Sequence, residues 1–152
     1  MSLNIRRATE RDAASIADFN SRMAWETEHK RLDPDVVGRG VSRVFGDSAK
    51  GFYLVAESAG EVVGQLMITF EWSDWRDGWF WWIQSVYVRE DQRRSGVFRS
   101  LYEATIQLAK NEKNVVGLRL YVERDNTRAQ RTYKQLGMRN ADYLVQEIML
   151  TR

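Results

Sequence analysis

The sequence predicts a mixed α/β (α+β) fold with one sheet between helices, and three patterns carry that reading. Short runs rich in branched and aromatic residues, such as "FYLVAE" (52–57) and "WFWWIQSVYV" (79–88), read as strands. Other segments repeat apolar residues at three- and four-residue spacing, as one buried helix face requires. In the second half strands and helices alternate, which calls for parallel pairing through crossovers. In the first half, closely spaced strands call for hairpins.

Taken in order, "NIRRA" (4–8) reads as a short strand. Thr9 offers an N-cap, and Ala13, Ile16, Ala17, Phe19 and Met23 form the apolar stripe of a first helix. The only proline, Pro34, marks the start of a second helix, whose buried side is Val37, Val41, Val44 and Phe45. Strand 52–57, the turn "SAGE" and strand 62–72 form a hairpin. Residues 79–88 are apolar at both alternating sets of positions, which suits a central strand covered on both sides. A helix follows from Gly96, with Val97, Leu101, Ala104 and Leu108 on one face. "VVGLRLYVE" is the next strand. Asn126 caps a helix over 127–136, Gly137 ends it, and "YLVQEIML" (143–150) is expected to close the sheet.

Composition narrows the chemistry. The chain has 152 residues, a length that fits a single domain spanning 1–152, with 43% hydrophobic and 29% charged residues. There is no cysteine, so no thiol nucleophile, disulfide or thiolate metal site is available. One histidine, His29, excludes a histidine-rich metal cluster, and the scattered carboxylates suggest no metal site. A net charge of +2, from 23 basic against 21 acidic residues, does not suggest a nucleic-acid partner. No apolar run has the length to span a bilayer, so no membrane is expected. The opening residues lack a signal-peptide pattern, and a cytoplasmic location is the default expectation.

"DQRRSGVFRSLYEATIQLAK" (91–110) raises the functional question, because a glycine sits among arginines where a buried strand passes into a helix. Such a junction aims free backbone N–H groups and the positive end of a helix dipole at one point, a natural place for a phosphate. Alone, the signal is weak, and a loop glycine beside solvated arginines would be the better explanation. The stretch "VYVREDQRRSGVFRSLYEA", however, resembles the acetyl-CoA signature of the GNAT acetyltransferases, strand then Q/R-x-x-G-x-G/A then helix, at Arg93, Arg94, Ser95, Gly96, Val97 and Phe98. Phe98 stands where the family usually has Gly or Ala. Downstream, "VERDNTRAQRTYKQLGM" is similar to the family's second signature, with Asn126, Ala129, Tyr133, Gly137 and Met138 in place. The element order resembles the family's as well, and the resemblance covers essentially the whole chain.

The resemblance implies a GNAT-like fold, with a mostly antiparallel sheet, a splayed parallel pair and acetyl-CoA as acetyl donor. It implies cofactor contacts from the backbone of Val86, Tyr87 and Val88, from residues 93–98 with Arg99 at the rim, and from Asn126 and Tyr133. Tyr133 is the expected acid for the departing thiolate: a phenol near 10 can hydrogen-bond a thiolate whose thiol titrates at about 8.5 and return a proton. A core tyrosine with a satisfied hydroxyl is the bland alternative. Relatives often place a Glu base on the strand before the loop. Here the aligned residue is Gln84, an amide, so Glu71 at the end of the preceding strand is the candidate base, its alternative being an exposed strand-end carboxylate.

Five of the six tryptophans lie within 72–82, and Glu26 and Glu28 fall where relatives build the acceptor site. Aromatic walls with carboxylates suit a cationic amine. Trp72, Gln84, Glu26 and Glu28 are therefore the expected substrate residues, against the plainer reading of packed indoles and solvated acids. His29 reads as a surface residue. The function expected is transfer of acetyl to a primary amine, small or peptide-borne, by direct attack in a ternary complex formed by a monomer or homodimer. The alternatives are a non-catalytic acyl-CoA sensor or scaffold on the same fold, and a nucleotide-phosphate module that would prefer ATP.

Overall fold

The computed structural model describes residues 2–151. The chain forms two compact units, Met1–Leu120 and Tyr121–Arg152. The first holds β1 (Asn4–Arg7), α1 (Ala13–Glu28), α2 (Pro34–Phe45), β2 (Phe52–Ser58), β3 (Glu61–Ser73), β4 (Gly78–Val88), α3 (Val97–Asn111) and β5 (Val115–Leu120). Its sheet runs β1-β2-β3-β4-β5, antiparallel from β1 to β4, with β4 and β5 parallel across the α3 crossover.

Local sequence accounts for the element ends. Thr9 precedes a 3-10 turn at Glu10–Asp12, and the Asp12 carboxylate accepts from the Thr9 backbone N–H at 2.8 Å and from Arg6 at 2.8 and 3.0 Å. At α2, Asp33 accepts from the Asp35 N–H at 2.9 Å while Pro34 takes the first helical position, where no backbone donor is needed. The β2–β3 hairpin turns on Ala59 and Gly60, both left-handed (φ 51° and 80°), as two-residue hairpin turns require.

The two faces of β2 divide the core. Tyr53 and Val55 meet Ile16, Val41 and Val44 of α1 and α2. Leu54, Ala56, Leu66 and Ile68, all buried, point to the opposite face. There α3 lies on the sheet: a Cβ placed on Gly64 would stand 2.7 Å from Val97 Cγ1 and 3.5 Å from Leu101 Cδ1. Gly64 is thus what lets the first turn of α3 rest on β3. Each aliphatic side chain buried this way contributes about 1.5–3 kcal/mol.

β4 carries the feature that positions the site. Gln65 pairs with Tyr87 but Met67 pairs with Gln84, so Ser85 and Val86 together oppose Leu66 in a bulge, with Ser85 left-handed (φ 52°). The parallel ladder with β5 runs from Trp79 to Ile83 and ends with Leu120, two residues before that bulge. From Gln84 to Val88 the β4 ladder runs to β3.

In the second unit, the Asn126 side chain accepts from the Ala129 N–H at 3.0 Å to cap α4 (Thr127–Gln135). Gly137 (φ 98°) closes it in a Schellman motif, its N–H bonding Lys134 O and that of Met138 bonding Tyr133 O, both at 3.0 Å. The strand expected over 143–150 is not formed; residues 143–150 have no regular structure. An apolar run becomes a strand only where another strand supplies its ladder, and this unit contains no other strand among the described residues. The β5 strand also stops at Leu120, short of the expected 123.

Candidate acyl-CoA and acceptor site

The connection from β4 to α3 is shaped by two left-handed residues, Arg94 (φ 67°) and Gly96 (φ 83°), on either side of Ser95. Such alternation turns successive N–H groups toward one concavity. Gly96 is the N-cap of α3 and supplies no side-chain cap, so the first-turn N–H groups of this 15-residue helix have no side-chain acceptor there. A Cβ at Gly96 would meet nothing within 4 Å, so φ, and not crowding, is what demands glycine. Ser95 Oγ donates to Gln92 O at 2.5 Å and pins the loop. Val97 is buried under the helix, and Phe98 packs on Tyr102 at 6.1 Å between ring centroids. Arg99 is engaged along the helix with Glu103 at 3.2 Å.

Arg93 turns the other way. Its Nη2 donates to Glu26 Oε1 at 2.6 Å, its Nε donates to Val88 O at 2.8 Å, and its guanidinium lies 5.3 Å from the Tyr87 ring centroid. Tyr87 donates its hydroxyl to the other oxygen of Glu26 at 2.5 Å, and its buried ring stacks obliquely on Phe19 at 5.0 Å. Burial pushes the Glu26 carboxyl up, but the Tyr87 and Arg93 hydrogen bonds outweigh it and leave the group below its ordinary pKa. Burial, helped by the facing carboxylate, raises the Tyr87 phenol. Beside this cluster lies an open groove of about 610 Å³ whose walls include Arg22, Arg89, Glu90 and Asp91.

The Acetyltransferase (GNAT) family model matches residues 11–138, most of the chain. The chain belongs to the GNAT acetyltransferase family. It is similar over 100% of both chains, at 43% identity and a TM-score of 0.93, to the structure of a possible acetyltransferase from Clostridium difficile 630. A ribosomal-protein-alanine N-acetyltransferase from Brucella melitensis biovar Abortus 2308 shares the fold at 19% identity and a TM-score of 0.79, covering 99% of this chain and 100% of that one. A transcriptional regulator from Bacillus halodurans C-125 also shares it, at 24% identity and a TM-score of 0.83, covering 98% and 100%. No curated protein gives a significant match.

Within this GNAT fold the remaining expected site residues fall into separate places. Glu71 accepts from Trp82 Nε1 at 2.8 Å and from Arg119 Nη1 at 3.3 Å, opposite Phe80 on β4. At roughly 3.3 Å per strand residue it stands about 17 Å along the sheet from the Ser85 bulge. Gln84, one residue before the bulge, donates to Thr69 Oγ1 at 2.6 Å. Trp72 packs edge-on against Trp79 at 5.0 Å, about 25 Å along β4 from Tyr87, so the tryptophan cluster and Glu26 do not share one pocket. Trp81 is a core residue against Phe52 and Phe70. Glu28 is exposed and pairs with Lys30 at 3.5 Å. His29 ends α1 in a left-handed conformation, its ring 5.4 Å from that of Trp25. On α4, Tyr133 has its phenol raised by burial.

Sequence reading missed the residue that braces the bulge. Gln65 is fully buried, and its Nε2 donates to Asn20 Oδ1 at 2.9 Å and to Ser85 O at 3.1 Å, while its Oε1 has no hydrogen-bond partner among the described residues. A polar residue at a core-facing position of "VVGQLMI" was the available signal. Arg119, which holds Glu71 and lies 3.6 Å from the Phe80 ring centroid, gave no such signal.

Proposed function

We propose that the chain transfers acetyl from acetyl-CoA to a primary amine, small or peptide-borne, by direct attack in a ternary complex. One observation carries the reading: the uncapped start of α3 and the stretch of β4 beyond its parallel partner lie at the two ends of one short loop. The first has no side-chain cap and the second has no β5 partner, and both suit a phosphate-bearing, amide-bearing ligand. The N–H groups of Gly96, Val97 and Phe98 would hold the pyrophosphate, with Arg94 and Arg99 adding charge at the rim. Val86, Tyr87 and Val88 would pair with the pantetheine arm as an added strand. Acetyl-CoA supplies the activated thioester; the chain supplies position, a proton donor and a proton acceptor.

The second sequence signature supports Tyr133 as the donor, and Asn126 as the residue that fixes the start of its helix. A phenol raised by burial is protonated at neutral pH and can hydrogen-bond the departing thiolate. Glu71 is the proposed acceptor; five strand residues from the Ser85 bulge, it would have to work through a chain of waters. Glu26 and Glu28 with the groove beside Tyr87 favour a cationic amine, with Gln84 as a further contact to test. Trp72, too far along the sheet to join them, is set aside as an acceptor contact.

The test is thiol release from acetyl-CoA across a panel of amines, free of protein background because the chain has no cysteine. Amine-dependent release supports the proposal, and Glu71→Gln should shift the acid limb of the pH–rate profile upward. An unmoved profile removes Glu71 from the role. Saturable acetyl-CoA binding without release for any amine would favour a binding protein instead.

A further inference from the structure

We infer that Glu26 is an internal competitor for Arg93, holding this arginine on α1 until the phosphate of an incoming acyl-CoA takes it. The inference rests on the acyl-CoA reading above and deepens it. Arg93 is three residues from Gly96, within the loop that would receive the anion, yet the partners of its guanidinium are Glu26 on α1 and Val88 O and Tyr87 on β4. A guanidinium grips a phosphate or carboxylate through one of two forks, Nε with Nη2 or Nη1 with Nη2. Both forks include Nη2, the nitrogen that donates to Glu26 at 2.6 Å, and the first also includes the Nε committed to Val88 O.

The exchange is inexpensive. The Arg93 and Glu26 side chains are 40% and 36% exposed, so the pair gains little over its hydrated state. Glu26 is not stranded when Arg93 leaves, because Tyr87 still donates to its second oxygen. A pyrophosphate, with two negative charges and the N–H groups at the start of α3 behind it, is the stronger partner for the arginine. The freed Glu26 oxygen then faces the groove beside it. Glu26 therefore taxes cofactor binding, and cofactor binding unmasks Glu26.

Calorimetric titration of coenzyme A into the wild type, Glu26→Gln, Arg93→Gln and the double variant tests this. Glu26→Gln should bind about fivefold tighter than wild type, the upper range for a half-exposed ion pair. In the Arg93→Gln background the same change should have no more than a twofold effect, which separates competition for Arg93 from general relief of negative charge. Glu26→Ser and Arg93→Met serve if either glutamine variant fails to fold. A wild type that binds coenzyme A with Glu26→Gln unchanged or weaker overturns the exchange alone. So does a gain that persists undiminished without Arg93. A folded wild type that does not bind coenzyme A overturns the acyl-CoA reading, and this inference with it.

Discussion

Gly64 should control the seat of α3 through one contact, with Val97. A methyl at Gly64 would lie 2.7 Å from Val97 Cγ1, about 0.8 Å inside the usual 3.5 Å carbon–carbon contact. Val97 is buried and is the first residue of α3, so the helix start must lift or the valine must leave its rotamer. Overpacking of this kind costs about 1–3 kcal/mol. Val97→Ala alone should cost about 2 kcal/mol through lost burial and a small cavity. The two changes relieve each other, because alanine at 97 vacates the space that the Gly64→Ala methyl needs. Urea unfolding followed by tryptophan fluorescence should therefore show the double variant at least 1 kcal/mol more stable than the summed single losses. Gly64→Ala should also weaken acetyl-CoA binding, with part of the loss restored in the double variant. Strict additivity in stability would show that Gly64 does not set the position of α3.

The other predictions concern the loop, the acid limit of stability and the proton donor. Gly96→Ala meets no atom but must hold φ 83°, so it should lose about 1–2 kcal/mol by urea unfolding, and Gly96→Asn clearly less. Equal losses would mean that φ is not what selects glycine there. The Arg6 hydrogen bonds hold the Asp12 carboxyl below its ordinary pKa, outweighing its burial. A carboxyl lowered in the fold stabilises above its unfolded pKa of about 3.9, and that contribution is lost as pH falls through the lower folded value. Stability should drop below about pH 4, and Asp12→Asn should flatten that limb of the pH–stability curve; an unchanged limb would assign it to other groups. Tyr133→Phe should cut kcat about 10²- to 10⁴-fold while leaving the acetyl-CoA Kd within twofold, and an unchanged kcat would rule the phenol out as donor.

Local signals in the sequence were enough for most of the fold. Apolar runs placed β2, β3 and β4, apolar periodicity placed α3, and Pro34 and Asn126 mark helix starts because such signals act over two or three residues. Helix α1 instead starts from Asp12, one 3-10 turn beyond the expected cap at Thr9. Gly96 was legible for the same reason, since φ is a property of one residue. The Glu26–Arg93 pair was not, because 67 positions separate residues that meet only once α1 lies over the end of β4. Nor was the engagement of Glu71 by Arg119, 48 positions away. The Ser85 bulge depends on the register of two strands, which composition does not fix. The expected strand at 143–150 shows the reverse error: the apolar residues are present, but a strand also needs a neighbour.

The central claim is that the loop between β4 and α3 is an acyl-CoA phosphate site. Calorimetric titration of the whole chain with acetyl-CoA, with ATP as control, tests it most directly. The account predicts saturable one-to-one binding of acetyl-CoA, weakened at least tenfold by a bulky left-handed misfit such as Gly96→Val, and little heat from ATP. No binding of acetyl-CoA by a folded sample, or tighter binding of ATP, would contradict it.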